Sequence, residues 1–236
     1  MEDSGRPTTL AIDIGGSGLK ATVLDPTGGM LVERVRVETP HPITPQILVD
    51  ALVKMTRNLP EFDRVSVGFP GVVRNGVVKT ASNLDPQTFP GFDLAAALKQ
   101  RLEKPVKVIN DADMQGYGAI MGRGVELVIT LGTGMGSALF SDGVLAPHLE
   151  LAHHPFHKGR SYEHELGDQA RRRFSRRKWN RRVRKAIETL RVLTNFDHLF
   201  IGGGNAKRVE IELPPDVSIV DNRAGVLGGI RLWDEA

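Results

Sequence analysis

Two aspartates occupy positions from which a carboxylate can take part in chemistry. Asp13 lies near the end of the first apolar run and is followed at once by glycines, and Asp111 comes just after a later apolar run. The carboxyl ends of strands are where α/β sheets place reactive groups, and an aspartate there can accept the proton of an attacking hydroxyl. Asp111 could instead be only the N-cap of a helix that begins at Ala112. Asp113 fits that capping and helix-dipole role better.

Glycine-rich turns follow two of the apolar runs. The first reads Gly15-Gly-Ser-Gly18 and the second reads Gly132-Thr-Gly-Met-Gly136. Glycine lets backbone N–H groups converge on an anion without a Cβ in the way, so both turns are candidate phosphate sites. In the Rossmann and P-loop signatures a helix comes directly after the glycines, whereas here a predicted strand follows each turn. One such turn is common in hairpins, but the pair together with Asp13 indicates a clamp on phosphate.

These turns belong to a chain that alternates short strands with helices. The segments LAIDIGGSGLKATVLDPTG and LVITLGTGMGSALFSDG both read as strand, glycine turn, strand and Asp-containing turn, which indicates an internal duplication and two similar lobes. The predicted strands are 9–14, 19–24, 31–37, 64–69, 105–109, 127–131, 137–140 and 197–201. The predicted helices are 45–58, 94–102, 162–173, 176–193 and 224–233. Asn75-Gly76, between two valine pairs, predicts a tight hairpin.

The composition is that of an ordinary globular chain. Of its 236 residues 40% are hydrophobic and 25% are charged, and the formal net charge is +3, which allows one large domain or two small ones. The absence of cysteine excludes disulfides, thiolate catalysis and Cys-based zinc sites. Because MEDSGRPTT has no signal-peptide core and no stretch approaches the length of a membrane helix, we predict a cytoplasmic protein without a membrane partner.

Several motifs occur in register along most of the chain. They are Asp13-Ile-Gly-Gly-Ser-Gly-Leu-Lys20, Phe69-Pro-Gly71, Ala81-Ser-Asn83-Leu, Asn110-Asp-Ala-Asp113, Leu131-Gly-Thr-Gly-Met-Gly136 and the run from Asn195 to Gly204. Their order and spacing resemble those of the ROK family of sugar kinases in the actin-like ATPase superfamily. Gly-Gly-Ser-Gly and the last run are especially similar to the polyphosphate-glucokinase branch. The resemblance extends from about Thr9 to Trp233.

The resemblance implies a role for each matching residue. Asp111 would be the general base that accepts the sugar hydroxyl proton, and Asp13 a magnesium ligand that acts through water. The implied sugar ligands are Asn83, Asn110, Glu150, His153 and Glu163. The implied phosphate ligands are Gly15, Gly16, Ser17, Gly18, Lys20, Gly132, Thr133 and Gly134. The loop of Gly202, Gly203 and Gly204 would border the phosphoryl donor.

A segment rich in histidine and glutamate, residues 150–157, also allows a metal interpretation, since His and Glu at this spacing can bind zinc. We expect no structural zinc, because no second ligand cluster follows and cysteines are absent. The ROK pattern here is Glu-x-Gly-His, usually followed by a Cys-rich zinc motif. This chain keeps Glu150 and His153, lacks the zinc motif, and has Ala152 in place of the glycine. That alanine leaves the geometry at the sugar's anomeric side open.

Ten of the fifteen residues from Arg171 to Lys185 are Arg or Lys. A run of this kind is most often a solvated helix face. It could also bind inorganic polyphosphate by counterion release and bidentate guanidinium contacts, with Arg177 and Arg181 as donor ligands. Nonspecific nucleic-acid binding rests on the same charge, but the run has no interleaved aromatic residues beyond Phe174 and Trp179.

The resemblance implies an α/β, actin-like (ribonuclease H-like) kinase with two lobes. We expect one lobe to comprise residues 1–110 with a C-terminal helix at 221–236, and the other to comprise residues 111–220. The expected activity is magnesium-dependent transfer of a terminal phosphoryl group to the 6-hydroxyl of glucose or a related hexose, with polyphosphate as the donor. The resemblance is compatible with a homodimer, and we expect no specific nucleic-acid partner.

Three alternatives stay open from the sequence. The donor could be ATP, as in an ATP-dependent ROK glucokinase or another hexose kinase. The chain could be a non-catalytic sugar-binding regulator, although the intact Asp13 and Asp111 argue against this. A ROK-type transcriptional repressor would need an N-terminal DNA-binding domain, and a first strand at Thr9 is expected to leave no room for it.

Overall fold

The computed structural model describes residues 6–82, 84–221 and 224–234. The chain forms two compact units. The first unit holds the described residues up to Met114 together with the C-terminal segment from Val226, and the second unit holds Gln115 to Gly225. The lobe boundaries expected from the sequence, 1–110 with 221–236 and 111–220, stay a prediction.

Each unit is built on one five-stranded sheet. The strands of the first unit are β1 (Thr9–Ile14), β2 (Leu19–Leu24), β3 (Val35–Val37), β4 (Arg64–Phe69), β5 (Val73–Arg74), β6 (Val77–Val78) and β7 (Val106–Asn110). The strands of the second unit are β8 (Val125–Leu131), β9 (Met135–Ser141), β10 (Val144–Leu145), β11 (Pro155–His157), β12 (Arg160–Ser161), β13 (His198–Gly202) and β14 (Val217–Ile219). β5 with β6 and β11 with β12 form separate two-stranded hairpins.

The two main sheets have the same topology. The first has the order β3-β2-β1-β4-β7 and the second has the order β10-β9-β8-β13-β14. In both, an antiparallel meander of three strands forms one side. Two further strands, parallel to the first strand of the meander, extend the other side. The internal duplication predicted from the sequence is therefore confirmed at the level of strand order and direction.

The helices lie against these sheets through apolar faces. They are α1 (Pro45–Thr56), α2 (Leu94–Leu102), α3 (Asp111–Ala119), α4 (Tyr162–Leu166), α5 (Asp168–Arg173), α6 (Arg176–Thr194) and α7 (Ala224–Arg231), and two 3-10 turns cover Leu151–His153 and Ala206–Arg208. The Thr44 and Asp93 side chains cap α1 and α2 by accepting hydrogen bonds from the N–H groups of Ile47 and Ala96. No helix in the described part of the chain is long and apolar enough to span a membrane.

The C-terminal segment is fixed to the first sheet by polar contacts. The Ser66 hydroxyl on β4 donates a hydrogen bond to the carbonyl of Gly229 and accepts one from the indole N–H of Trp233. Lys107 on β7 donates to the carbonyl of Leu232 and lies over the Trp233 ring. These contacts explain why the chain's last helix belongs to the unit in which the chain begins.

In the second unit α6 buries an apolar stripe of Trp179, Val183, Ile187 and Leu190. The Trp179 indole also donates a hydrogen bond to the carbonyl of Leu166 at the end of α4. This stripe fixes which face of α6 is exposed, and so determines where its basic residues lie.

Two predicted elements differ in the structure. The strand expected over 31–37 covers only Val35–Val37. Before it, the Val32 carbonyl accepts a hydrogen bond from the Thr22 hydroxyl and not from a backbone N–H of β2. The single helix expected over 162–173 is two helices, broken at Gly167, whose ψ of 172° is extended. The next amide, Asp168 N–H, donates to the carbonyls of Gly132 and Thr133 instead of continuing the helix. A tertiary contact, which local sequence does not encode, causes this break.

Candidate active site

In the first unit, Asp13 and Asp111 lie at the same edge of the sheet. β1 and β7 both run parallel to β4, with Asp13 opposite Gly68 and Asn110 opposite Phe69. One strand separates β1 from β7, a lateral distance of about 10 Å, and Asp111 lies two residues beyond Ile109, which is level with Asp13. Both side chains are partly exposed. This edge therefore presents two accessible carboxylates.

The cap of α3 is Asn110, not Asp111 or Asp113 as weighed from the sequence. The Asn110 Oδ1 accepts hydrogen bonds from the N–H groups of Ala112 (2.7 Å) and Asp113 (3.2 Å), and its Nδ2 donates to the carbonyl of Gly71. Asn110 is 6% exposed, so its side chain mainly fixes the strand–helix junction. The Asp111 Oδ1 also accepts from Ala112 N–H (2.9 Å), so Asp111 shares one of the two capping contacts that Asn110 makes.

Asp13 forms an ion pair with Lys20, whose Nζ is 2.8 Å from Asp13 Oδ2 on the neighbouring strand. Both side chains are more than a third exposed. Among the described residues no group of three or more His, Cys, Asp or Glu side chains forms a metal cluster. One accessible carboxylate fits magnesium, which is usually bound by one or two carboxylates, several waters and substrate phosphates.

The first glycine loop, Gly15–Gly18, is held by its carbonyl groups. Gly15 N–H donates within the loop to the carbonyl of Gly18. The Thr39 hydroxyl donates to the carbonyl of Gly15 (2.6 Å), and His41 Nε2 lies 3.2 Å from the carbonyl oxygen of Gly16. In a planar trans peptide the N–H points opposite to the carbonyl. The N–H groups that follow these two carbonyls therefore point away from Thr39 and His41, as an anion site requires.

The second glycine loop, Gly132–Gly134, repeats this arrangement with different partners. Gly132 N–H again donates within the loop, to the carbonyl of Gly134. The carbonyls of Gly132 and Thr133 accept from Asp168 N–H at the start of α5, and that of Gly132 also accepts from Asn205 Nδ2. The N–H groups of Thr133 and Gly134 consequently point away from α5. Both loops thus leave backbone N–H groups pointing away from the residues that hold their carbonyls, and phosphate binding by these groups stays a prediction.

The second unit brings together three predicted sugar ligands. His153 lies between two carboxylates, with Nε2 3.7 Å from Glu150 Oε2 and Nδ1 3.8 Å from Glu163 Oε2. His148 joins them, with Nε2 3.5 Å from Glu150 Oε1. Contact with His148 is the main cause that lowers the pKa of Glu150, with the charge of His153 a smaller contribution in the same direction. The cluster is half exposed and offers both donors and acceptors to a polyol.

Glu163 joins this cluster to the second glycine loop. A Cβ placed on Gly134 would lie 2.7 Å from Glu163 Oε1, so only glycine allows the carboxylate to approach the loop without displacement. Gly203 (φ +86°) lies against Leu131, the residue just before the second glycine loop, and a Cβ on Gly203 would meet the backbone of Leu131 at 2.5 Å. The Gly202–Gly204 loop is therefore adjacent to the second glycine loop, where a donor ligand was predicted.

The basic segment is divided by its ion pairs. Arg171 and Arg172 pair with Asp168, and the hydrogen bond from Arg171 is the main cause that lowers the pKa of Asp168. Glu165, almost fully buried, is approached by Arg160, Arg173 and Arg182. Arg176 pairs with Glu210. The segment is thus not one continuous row of available cations, as the polyphosphate interpretation assumed.

Several residues of these sites were not predicted from the sequence. They are Thr39 and His41 behind the first loop, Arg36 against Gly18, His148 beside Glu150, and Asn205 behind the second loop. None belongs to a motif, and all except His148, which is two residues from Glu150, act through a contact distant in sequence. Only Arg36 had a signal, because it lies opposite Lys20 on the next strand. The predicted sugar ligand Asn83 lies outside the described residues.

Comparison with known proteins agrees with this arrangement. The chain is 30% identical over 237 residues to a polyphosphate glucokinase of Mycobacterium tuberculosis, covering 92% of this chain and 88% of that protein. Among solved structures, an inorganic polyphosphate/ATP-glucomannokinase from Arthrobacter sp. strain KM superposes with a TM-score of 0.84 at 33% identity, covering 95% of this chain and 97% of that chain. A ROK family glucokinase from Streptomyces griseus shares the fold at 20% identity, with a TM-score of 0.75 and coverage of 95% and 98%.

These similarities confirm the predicted fold class, the actin-like α/β fold of sugar kinases. The sequence model of the ROK family matches residues 9–147, which include both glycine loops, Asp13 and Asp111. The chain belongs to the ROK family.

Proposed function

We propose that this protein is a hexose kinase that transfers the terminal phosphoryl group of inorganic polyphosphate to the 6-hydroxyl of glucose. It is a phosphotransferase with an alcohol acceptor, as its relatives' names indicate. The observation that best supports the proposal is the Glu163 side chain, which adjoins both His153 of the polar cluster and Gly134 of a phosphate-type loop. A site for a polyol thus borders a site for a phosphate.

In this proposal the acceptor sugar is held by Glu150, His153 and Glu163, and Asp111 is the general base. Asp111 accepts the proton of the hydroxyl as its oxygen bonds to phosphorus, which contributes about 10²–10⁴-fold to such reactions. Asn110 fixes Asp111 at the end of β7 through the cap of α3. We therefore assign Asn110 a positioning role, and its remaining contact with the sugar stays a prediction.

The two glycine loops and Lys20 would bind donor phosphates. The loops offer N–H groups without Cβ atoms, and Lys20 offers a cation beside Asp13. Magnesium, when bound to the donor, would neutralise charge on the transferred group, and Asp13 is the residue that would hold it through water. Lys20 also keeps the Asp13 carboxylate in place between turnovers.

ATP is the second candidate donor, because the Arthrobacter relative is described as using both polyphosphate and ATP. In this chain the Gly202–Gly204 loop adjoins the second glycine loop, as either donor would require. Phosphoryl transfer to a hexose is common to both alternatives. The choice of polyphosphate rests on the relatives' names and on the basic residues of α6.

A donor panel tests the proposal. Glucose and mannose are each incubated with magnesium and with polyphosphate, ATP or GTP, and the hexose 6-phosphate formed is measured. We expect polyphosphate to support the fastest formation of glucose 6-phosphate, and EDTA to abolish it. Formation with ATP alone would reverse the donor assignment, and glucose binding without product from any donor would make the protein a sugar-binding regulator.

A further inference from the structure

Three arginines of α6 remain after the ion pairs of the basic segment are assigned. Within the described part of the chain, Arg177, Arg181 and Arg184 have no carboxylate partner within ion-pair distance. All three are exposed. Their spacing places them on one face of the helix, on the side away from the buried stripe that begins with Trp179. Their charge is therefore available to a ligand.

These arginines line a pocket of about 670 Å³ in the second unit. Its lining residues are Arg176, Arg177, Asn180, Arg181, Arg184, Glu210, Ile211 and Glu212. The pocket has a fixed floor, because the Asn180 side chain, 7% exposed, donates to the carbonyls of Arg176 and Arg208 and accepts from Glu210 N–H. Such a buried, fully engaged amide holds α6 and the 208–210 segment in one geometry.

The pocket is connected to the second glycine loop by one short piece of chain. Asn205 bonds to Gly132 of that loop, and Glu210, five residues later, bonds to Asn180 in the pocket floor. Five residues span at most about 18 Å. A linear polyanion with its end at the glycine loop can therefore have later phosphates at the pocket, whereas a compact anion occupies one place or the other.

We propose that this pocket is a second binding site, for internal phosphates of an inorganic polyphosphate chain, which makes donor use depend on chain length. The proposal rests on the proposed function and adds the site at which long donors are distinguished from short ones. Guanidinium groups bind phosphate oxygens in bidentate fashion. Glu212, exposed at the rim, repels the chain and weakens its hold, which favours release after transfer.

Binding and kinetics of matched variants test the proposal. Arg181→Gln removes a pocket charge, Lys185→Gln removes one from the same helix outside the pocket, and Glu212→Gln removes a rim carboxylate. Long-chain sodium polyphosphate binding is measured at several salt concentrations, and turnover is measured with the long chain, tripolyphosphate and ATP. We expect Arg181→Gln to weaken long-chain binding about tenfold at low salt and to reduce the salt slope by about one. Glu212→Gln should strengthen that binding.

The same variants separate this proposal from the proposed function. Arg181→Gln should lower turnover with the long chain far more than turnover with tripolyphosphate, with glucose affinity unchanged, and Lys185→Gln should have little effect on any donor. Equal weakening by Arg181→Gln and Lys185→Gln would overturn the pocket assignment while leaving polyphosphate kinase activity intact. Arg181-dependent binding of long chains by a protein that uses only ATP would support the pocket and overturn the donor assignment. Equal competition by single-stranded RNA would show a nonspecific polyanion surface and overturn the proposal.

Discussion

The two glycine loops each have an internal hydrogen bond but have different surroundings. In both, the first glycine N–H donates to a later glycine carbonyl, that of Gly18 in the first loop and that of Gly134 in the second, and carbonyls are held from one side. The first loop has charged neighbours, with the Asp13–Lys20 ion pair and Arg36 against Gly18. The second is held by the start of α5 and adjoins the carboxylate of Glu163.

This difference indicates that the two loops have different functions although they belong to a duplicated structure. The first loop lies in the unit that holds Asp111, the proposed base, and its charges suit a metal–phosphate complex. The second loop lies in the unit that holds the proposed sugar ligands, and its surroundings suit the positioning of the acceptor. Substitutions in the first unit should therefore lower kcat, and substitutions around the second loop should raise the KM for glucose.

The largest expected effect is that of Asp111→Asn in the first unit. We expect kcat to fall by about 10²–10⁴-fold, as for the loss of a general base, with glucose affinity near that of the wild type. Steady-state kinetics together with equilibrium glucose binding measures the two quantities separately. Because Asn110 caps α3 and an asparagine oxygen at 111 can still accept from Ala112 N–H as Asp111 does, this substitution should not disturb the helix, and an unchanged melting temperature is the control. Near-normal turnover would remove Asp111 from the mechanism.

The comparison also shows what the sequence could predict. Asp13, Asp111 and the glycine loops were recognised because strand ends and glycine spacing are local signals. The Asn75-Gly76 hairpin was predicted for the same reason, and Asn75 and Gly76 both have positive φ.

Other features depend on contacts between distant residues. The break between α4 and α5 arises from the bond of Asp168 N–H to the carbonyls of Gly132 and Thr133. The division of the basic segment depends on Glu165 and Glu210, whose positions only the fold determines. Residues that support a site through such contacts, as Asn205 does at the carbonyl of Gly132, have no pattern in the sequence that identifies them.

The second prediction concerns Glu165, which joins the helix of Glu163 to α6. Its carboxylate is 3% exposed and lies 3.0 Å from Arg182 Nε. Glu165→Gln leaves Arg182 without its buried partner and should lower the free energy of unfolding by about 2 kcal/mol, less than for a fully buried pair because the other arginines reach water. Urea denaturation measures this. Glu188→Gln, on the exposed face of α6, should change the free energy of unfolding by less than about 0.5 kcal/mol. An equal loss of stability in both variants would contradict the assignment of Glu165 as the buried partner of Arg182.

The third prediction distinguishes two glycines of the second loop. A Cβ at Gly134 would meet Glu163 Oε1 at 2.7 Å, whereas one at Gly132 has nothing within 4 Å. Because the end of a glutamate side chain moves easily, Gly134→Ala should displace Glu163 with little loss of stability. We expect the KM for glucose to rise about tenfold in Gly134→Ala, as for the loss of one hydrogen bond to a charged group. The glucose KM of Gly132→Ala should be unchanged. An equal rise in KM in both variants would contradict the assignment of Glu163 as a sugar ligand.

The smallest expected effect is a change in pH dependence at the sugar cluster. Contact with His148 is the main cause that lowers the pKa of Glu150, so the carboxylate stays ionised to a lower pH than usual. Its contribution to glucose binding is present above this pKa and is lost as the pH falls through it. In His148→Gln the pKa of Glu150 should rise towards its ordinary value, and the acidic limb of glucose affinity should move to higher pH.

Glucose affinity measured between about pH 4 and pH 8 covers the carboxyl and imidazole ranges. His154→Gln, an exposed histidine of the same segment, should leave the limb in place. A profile of His148→Gln that superimposes on the wild type would mean that Glu150 does not bind the sugar as a carboxylate.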